Sequence, residues 1–137
     1  MIRARSILHV GLLASLAWLT ACSATKPSTT EHISGEVYYL QRIALPPGAV
    51  LSVKLQDTSR ADAPAITLAE YNKTITQSVP LPFTLNYQRN QVKAGLSYSL
   101  SARIEYQGQL LFINTEHHPV QLGGSIDNVK LRVDPVQ

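Results

Sequence analysis

From Ile33 to Val133, apolar side chains recur at every second position and almost nowhere at the three-and-four spacing of a helix. A period of two puts alternate side chains on opposite faces of an extended strand, so the pattern commits the chain to β-structure. The longest stripe is Tyr98, Leu100, Ala102, Ile104 and Tyr106, set against Ser97, Ser99, Ser101, Arg103 and Glu105. Shorter stripes run through Ile33, Gly35, Val37 and Tyr39, through Leu51, Val53 and Leu55, and through Phe83, Leu85 and Tyr87. Ile66 and Leu68 suggest another, running on towards Tyr71, and Val129, Leu131 and Val133 close the series. Leu110–Ile113 is continuously apolar, which predicts a short strand buried on both faces.

Turn residues separate these runs. Pro46-Pro47-Gly48 forces a bend, while Pro64, Pro80 and Pro82 interrupt the middle of the chain. Gln107-Gly108 reads as a tight hairpin, and Gly123-Gly124 with Asp127-Asn128 lead into the last strand. About seven short strands with regularly spaced turns predict an all-β fold, a single antiparallel β-sandwich over residues 32–137. No internal repeat or second domain is visible.

The N-terminal region has a different character. Arg3 and Arg5 precede the mostly apolar run Ile7–Leu19, which fits the core of a secretory signal and falls short of the ~20 residues an α-helix needs to span a bilayer. The run ends in Leu19-Thr20-Ala21-Cys22, which resembles the lipobox of bacterial lipoproteins. Residues 1–21 are therefore expected to be a signal peptide, cut between Ala21 and Cys22, with lipid attached to Cys22. Cys22 is the only cysteine, so no internal disulfide can form, and a thioether to lipid accounts for the single thiol. One acyl chain holds a protein only marginally, at ~0.8 kcal/mol per buried methylene, whereas three make desorption negligible. Ser23, where an Asp would resemble an inner-membrane retention signal, predicts a lipid-anchored protein of the outer membrane facing the periplasm. Residues 22–31 lack large apolar side chains and read as a flexible tether with a reach of roughly 15–18 Å.

Processing also corrects the apparent basicity. Losing Arg3 and Arg5 from the 12 Lys and Arg leaves ten against 9 Asp and Glu. The remaining cations are scattered singly, so the clustered positive surface that nucleic-acid binding needs is absent and no such partner is expected.

No catalytic constellation, metal site or cofactor motif stands out. His117-His118 would point to opposite faces of a strand and reads as a solvated strand end before Pro119. Gly95-Leu96-Ser97-Tyr98-Ser99 lacks the final Gly of a nucleophile elbow and leads into a strand, where an elbow leads into a helix. Asp57 and Asp62 have two readings: they shape the loop by accepting backbone N–H groups, or they bind a cation or a partner's basic residue.

The segments Leu45-Pro46-Pro47-Gly48-Ala49 and Asp57-Thr58-Ser59-Arg60-Ala61-Asp62-Ala63-Pro64 resemble the YbaY/YscW-like family of bacterial lipoproteins. Pro82-Phe83, Tyr98–Ile104, Leu110-Leu111-Phe112 and Pro119-Val120 continue the resemblance in order over about residues 33–134. It implies a β-sandwich and supplies no catalytic residues. Some members are pilotins, lipoproteins that guide a ring-forming secretin into the outer membrane. The expected function is a non-enzymatic binding or chaperone-type module that receives a segment of an envelope protein such as a secretin. Tyr38, Tyr71 and Tyr87 are candidate contacts. The alternatives are a small envelope enzyme acting on polysaccharide or peptide, which would need a polar cleft, and a general envelope-maintenance lipoprotein without a dedicated partner.

Overall fold

The computed structural model describes residues 29–137, so the expected signal peptide, cleavage site at Ala21 and lipid site at Cys22 lie outside the described residues. The strands are β1 (Thr30–Tyr38), β2 (Val50–Asp57), β3 (Ile66–Thr74), β4 (Leu81–Gln88), β5 (Tyr98–Tyr106), β6 (Gln109–Ile113), β7 (His118–Val120), β8 (Ile126–Arg132) and β9 (Asp134–Pro135). They form two sheets, one ordered β4-β1-β8 and the other β3-β2-β5-β6-β9, with β7 also paired to β5. Among the described residues no helix is long and apolar enough to cross a membrane.

Alternation written in the sequence becomes the core. Along β4, Leu81, Phe83, Leu85 and Tyr87 are buried while Pro82, Thr84 and Asn86 are exposed. Ile33 and Val37 of β1, Leu51, Val53 and Leu55 of β2, and Leu100, Ala102 and Ile104 of β5 meet them between the sheets. Each such Val, Leu or Ile contributes roughly 1.5–3 kcal/mol by leaving water. Two of the expected turns have the required geometry. Gly48 takes φ +89 in a turn closed by the Ala49 N–H donating to the Pro46 carbonyl at 3.1 Å, a conformation other side chains resist. Gln107 and Gly108 both have positive φ, which matches the twist of the β5–β6 hairpin.

The sandwich departs from expectation in four places. First, β8 pairs with β1 in parallel, so the sandwich is not wholly antiparallel; the chain crosses from one sheet to the other before returning beside its own first strand. Second, there are two strands beyond the expected seven: β7 and β9 are too short to show a period and exist because a neighbouring edge offers them partners. Third, of Leu110–Ile113 only Phe112 is buried, stacked on Tyr39 with ring centroids 4.6 Å apart; β6 lies near a sheet edge and has only one inward face. Fourth, Thr30 and Glu31, expected in the tether, pair with Gln88 and Tyr87. Ladder pairing uses backbone groups and so does not require the apolar side chains whose absence suggested a tether.

Gly35 sits where the β1–β8 register shifts, opposite Val129. A Cβ there would lie 2.0 Å from the Val129 carbonyl oxygen, so the close approach of these strands depends on glycine. Asn114 repairs a different irregularity. Beyond β5, β6 covers Arg103–Tyr106 and β7 covers Tyr98–Leu100. In the gap, the Asn114 side chain accepts the Ala102 N–H at 2.8 Å and donates to the carbonyls of Leu100 and Glu116.

Candidate functional site

At the end of the sandwich where β1 begins, two loops rise on either side of a groove of about 610 Å³. One wall is residues 92–97, between β4 and β5; the other is Pro119 through Gly123, the end of β7 and the start of the loop to β8. Tyr87 and Tyr98, both buried, line its base.

Polar groups hold both walls in place. The Tyr98 hydroxyl accepts the Lys93 N–H at 2.8 Å, pinning the first wall over its own strand. The Ser97 main chain is held from both sides: its carbonyl accepts the Thr58 N–H at 2.9 Å and its N–H donates to the Ser59 hydroxyl at 2.8 Å. On the second wall, the Tyr87 hydroxyl donates to the Gly124 carbonyl at 2.8 Å and the Arg89 guanidinium donates to that of Gly123. Burial pushes the Tyr87 hydroxyl pKa up.

A second polar cluster ties this wall to the start of β1. Glu31 accepts the Ser125 hydroxyl at 2.8 Å and meets Arg89 at 3.4 Å. Asp127 accepts the Ser34 hydroxyl and lies 3.1 Å from the His32 imidazole; these two groups hold its carboxyl below the usual range.

The two aspartates do different things. Asp57 accepts the Ser59 N–H at 2.9 Å, and the Ser59 hydroxyl and N–H together hold its pKa below the ordinary value, with Lys93 and Arg60 adding to the effect. Through Ser59 it supports the first wall. Asp62 is exposed in the following turn and its side chain has no hydrogen bond or ion pair among the described residues. Ser97 contributes its main chain to this arrangement. His117 lies on the rim of the groove. His118 is not a solvated strand end: it opens β7 half-buried, and burial followed by the neighbouring His117 lowers its pKa. Among the described residues no three His, Cys, Asp or Glu side chains converge as metal ligands.

Of the tyrosines expected at a contact surface, Tyr87 is core and only its edge reaches the groove. Tyr71 packs on Phe83, with centroids 6.4 Å apart. Tyr38 lines a smaller cleft of about 230 Å³ with His117, His118 and Arg132. Nothing in the sequence assigned Val92, Leu96, Val120 and Leu122 to a common groove. Their signal was a set of apolar side chains within turn-rich segments, where no strand face claims them.

A groove of about 540 Å³ occupies the opposite end, lined by Tyr39, Ala44–Gly48 and Thr74–Ser78. Its lining carries no charged side chain. Leu40 and Ile43, in the adjoining loop, are 63% and 55% exposed.

Residues 28–133 match the family described as type III secretion system lipoprotein chaperone (YscW). The uncharacterized lipoprotein YbaY of Escherichia coli K12 is 37% identical over 122 residues, which are 86% of this chain and 63% of that protein. The chain thus spans less than two thirds of that relative's length. A solved structure of an alternative pilotin from the type II secretion system of Vibrio cholerae is 41% identical, with a TM-score of 0.73; the match covers 80% of this chain and 99% of that one.

Proposed function

The chain belongs to the YscW family of type III secretion lipoprotein chaperones, and from that premise we propose that it is a pilotin-like module anchored by lipid on Cys22. The anchor is in the outer membrane and the folded domain faces the periplasm. Its action is binding without catalysis: the groove between residues 92–97 and 119–123 receives a segment of an envelope protein, a ring-forming secretin in the sharpest version. Similarity to a chaperone family and to a pilotin structure supports an envelope role.

The observation that carries the choice of groove is its construction. Both walls are hydrogen-bonded before any ligand arrives, to Tyr98 and Tyr87 on strands and to Ser59 and Arg89 just beyond strand ends. A groove held in shape spares a ligand part of the ordering cost of binding. Its half-exposed apolar side chains supply contact area, and its few polar groups supply orientation.

Two measurements test the proposal. A photo-crosslinking side chain placed at Leu96 or Leu122 of the protein in cells should join it to one envelope protein, and the same side chain at Leu40 should not. Removing the protein should reduce assembled secretin multimers, and wild-type protein should restore them. Intact multimers without the protein would end the pilotin version. Crosslinks from Leu40 alone would move the site to the opposite end of the sandwich.

A further inference from the structure

The tether-end groove carries cations on its lining and no anion. Arg89 and Lys93 line it, and none of its lining residues is Asp or Glu. This sign is local, because the domain as a whole has nearly balanced charge and the opposite groove is uncharged. Arg89 is already partly engaged by Glu31 at 3.4 Å and by the Gly123 carbonyl. The Lys93 ammonium, by contrast, forms no ion pair among the described residues. Asp57 is the carboxylate that senses Lys93, and its oxygens are committed first to Ser59. Alongside these cations lie the apolar side chains of Val92, Leu96, Val120 and Leu122.

We propose that this groove takes a short amphipathic segment whose apolar side chains fill the space between the walls and whose polar face is acidic, its carboxylates meeting Lys93 and Arg89. The inference rests on the reading of the groove given above and adds the charge of the occupant. A volume of about 610 Å³ suits a few side chains of one segment. An anionic lipid headgroup has the same charge and could approach from the side on which the chain enters. A headgroup phosphate, however, is best held by several free donors, and here one guanidinium is shared with Glu31 and Gly123. The apolar walls also have no role for a headgroup. The geometry therefore favours a peptide.

The test uses the protein as the cell processes it, reconstituted in phosphatidylcholine nanodiscs. Its probes are three fluorescent helical peptides of about 14 residues that share one leucine stripe and differ only in carrying Glu, Gln or Lys on the polar face. Binding is read by anisotropy at low and high salt, with empty nanodiscs as the blank. The Glu peptide should bind about five- to tenfold more tightly than the Gln peptide, lose that advantage in high salt, and exceed the Lys peptide further. Lys93→Glu should reverse the preference between the Glu and Lys peptides. Leu96→Asp, at a position 38% exposed and outside the core, should weaken all three.

Equal binding of the three peptides, still sensitive to Leu96→Asp, would overturn the acidic segment and leave the groove reading standing. Binding insensitive to Leu96→Asp would overturn both. Soluble glycerol phosphate that displaces the Glu peptide but not the Gln peptide from the phosphatidylcholine nanodiscs would assign the cations to a headgroup phosphate and overturn the proposal.

Discussion

Gly35→Ala tests how closely β1 and β8 approach each other. The added Cβ would lie 2.0 Å from the Val129 carbonyl oxygen, 2.7 Å from its carbon and 2.9 Å from its Cα. All three atoms are backbone, so no side chain can swing aside to make room. Restoring an ordinary contact of 3.4 Å from the oxygen, against the present 2.0 Å, requires β8 to retreat by about 1.4 Å, at the point where the register already shifts. Overpacking costs about 1–3 kcal/mol. One or two ladder hydrogen bonds stretched by the retreat add ~1 kcal/mol each. The sum is about 2–5 kcal/mol, or a fall in Tm of roughly 8–40 °C for a domain of this size. Urea unfolding of the full chain followed by far-UV circular dichroism reads it directly. Gly123→Ala is the control, since a Cβ there meets nothing within 4 Å and should change stability by less than ~0.5 kcal/mol. If the two variants unfold at the same urea concentration, the close parallel pairing of β1 with β8 is wrong.

Three further outcomes are expected. Asn114→Ala removes three hydrogen bonds to backbone and leaves the Ala102 N–H unmet, a loss of about 2–3 kcal/mol; Asn114→Asp keeps the acceptor and should fall between it and wild type in the same urea titration. Stability should decline on acidification. Asp57, Asp127 and Glu70 all have folded-state pKa values below their ordinary ones, Glu70 chiefly through the Asn72 amide. The unfolded chain then takes up protons first, so their contribution is present above the ordinary carboxylate values and is lost as pH falls below those values and through the lowered folded ones. His118, lowered from 6.5, acts with the same sign at the higher end of the window. A urea midpoint that rises as pH is taken from 7 down to about 2.5 would contradict this assignment. Finally, Cys22→Ser should move the protein from the membrane fraction to the soluble periplasmic fraction; a variant still fully membrane-bound would remove the lipid anchor from the account.

How much of this was legible in the sequence depended on burial and on distance along the chain. Where a strand has one face in the core, as in β4, the alternation of Leu81, Phe83, Leu85 and Tyr87 marked it residue by residue. β3 was only half visible, because its later residues Asn72, Lys73 and Thr74 are exposed and carry no stripe. β9 left no trace and β7 showed only as a strand end at His117-His118, since two or three residues cannot display a period. The parallel pairing of β1 with β8 had no local sign either, as it depends on where the chain returns and not on what either strand contains. The groove shows the same divide. Asp57-Thr58-Ser59 announced a turn, and Asp57 accepts the Ser59 N–H, yet nothing nearby indicated that this turn would brace Ser97. Asp62, equal to Asp57 on paper, has no comparable partner because the turn leaves it in solvent.

The placement of β1 has a mechanical consequence. It is the middle strand of its sheet, and the chain enters it at Thr30. A pull from the N-terminal side acts along the strand axis, with β4 on one flank and β8 on the other. Both ladders are then loaded in shear, so their hydrogen bonds resist together instead of opening one after another. The opposite terminus is held differently: β9 contributes two residues at the rim of the other sheet and peels away from β6 pair by pair. Pulled by its first strand, a domain built in this way resists unravelling, and under strain the β9 end yields before β1 does.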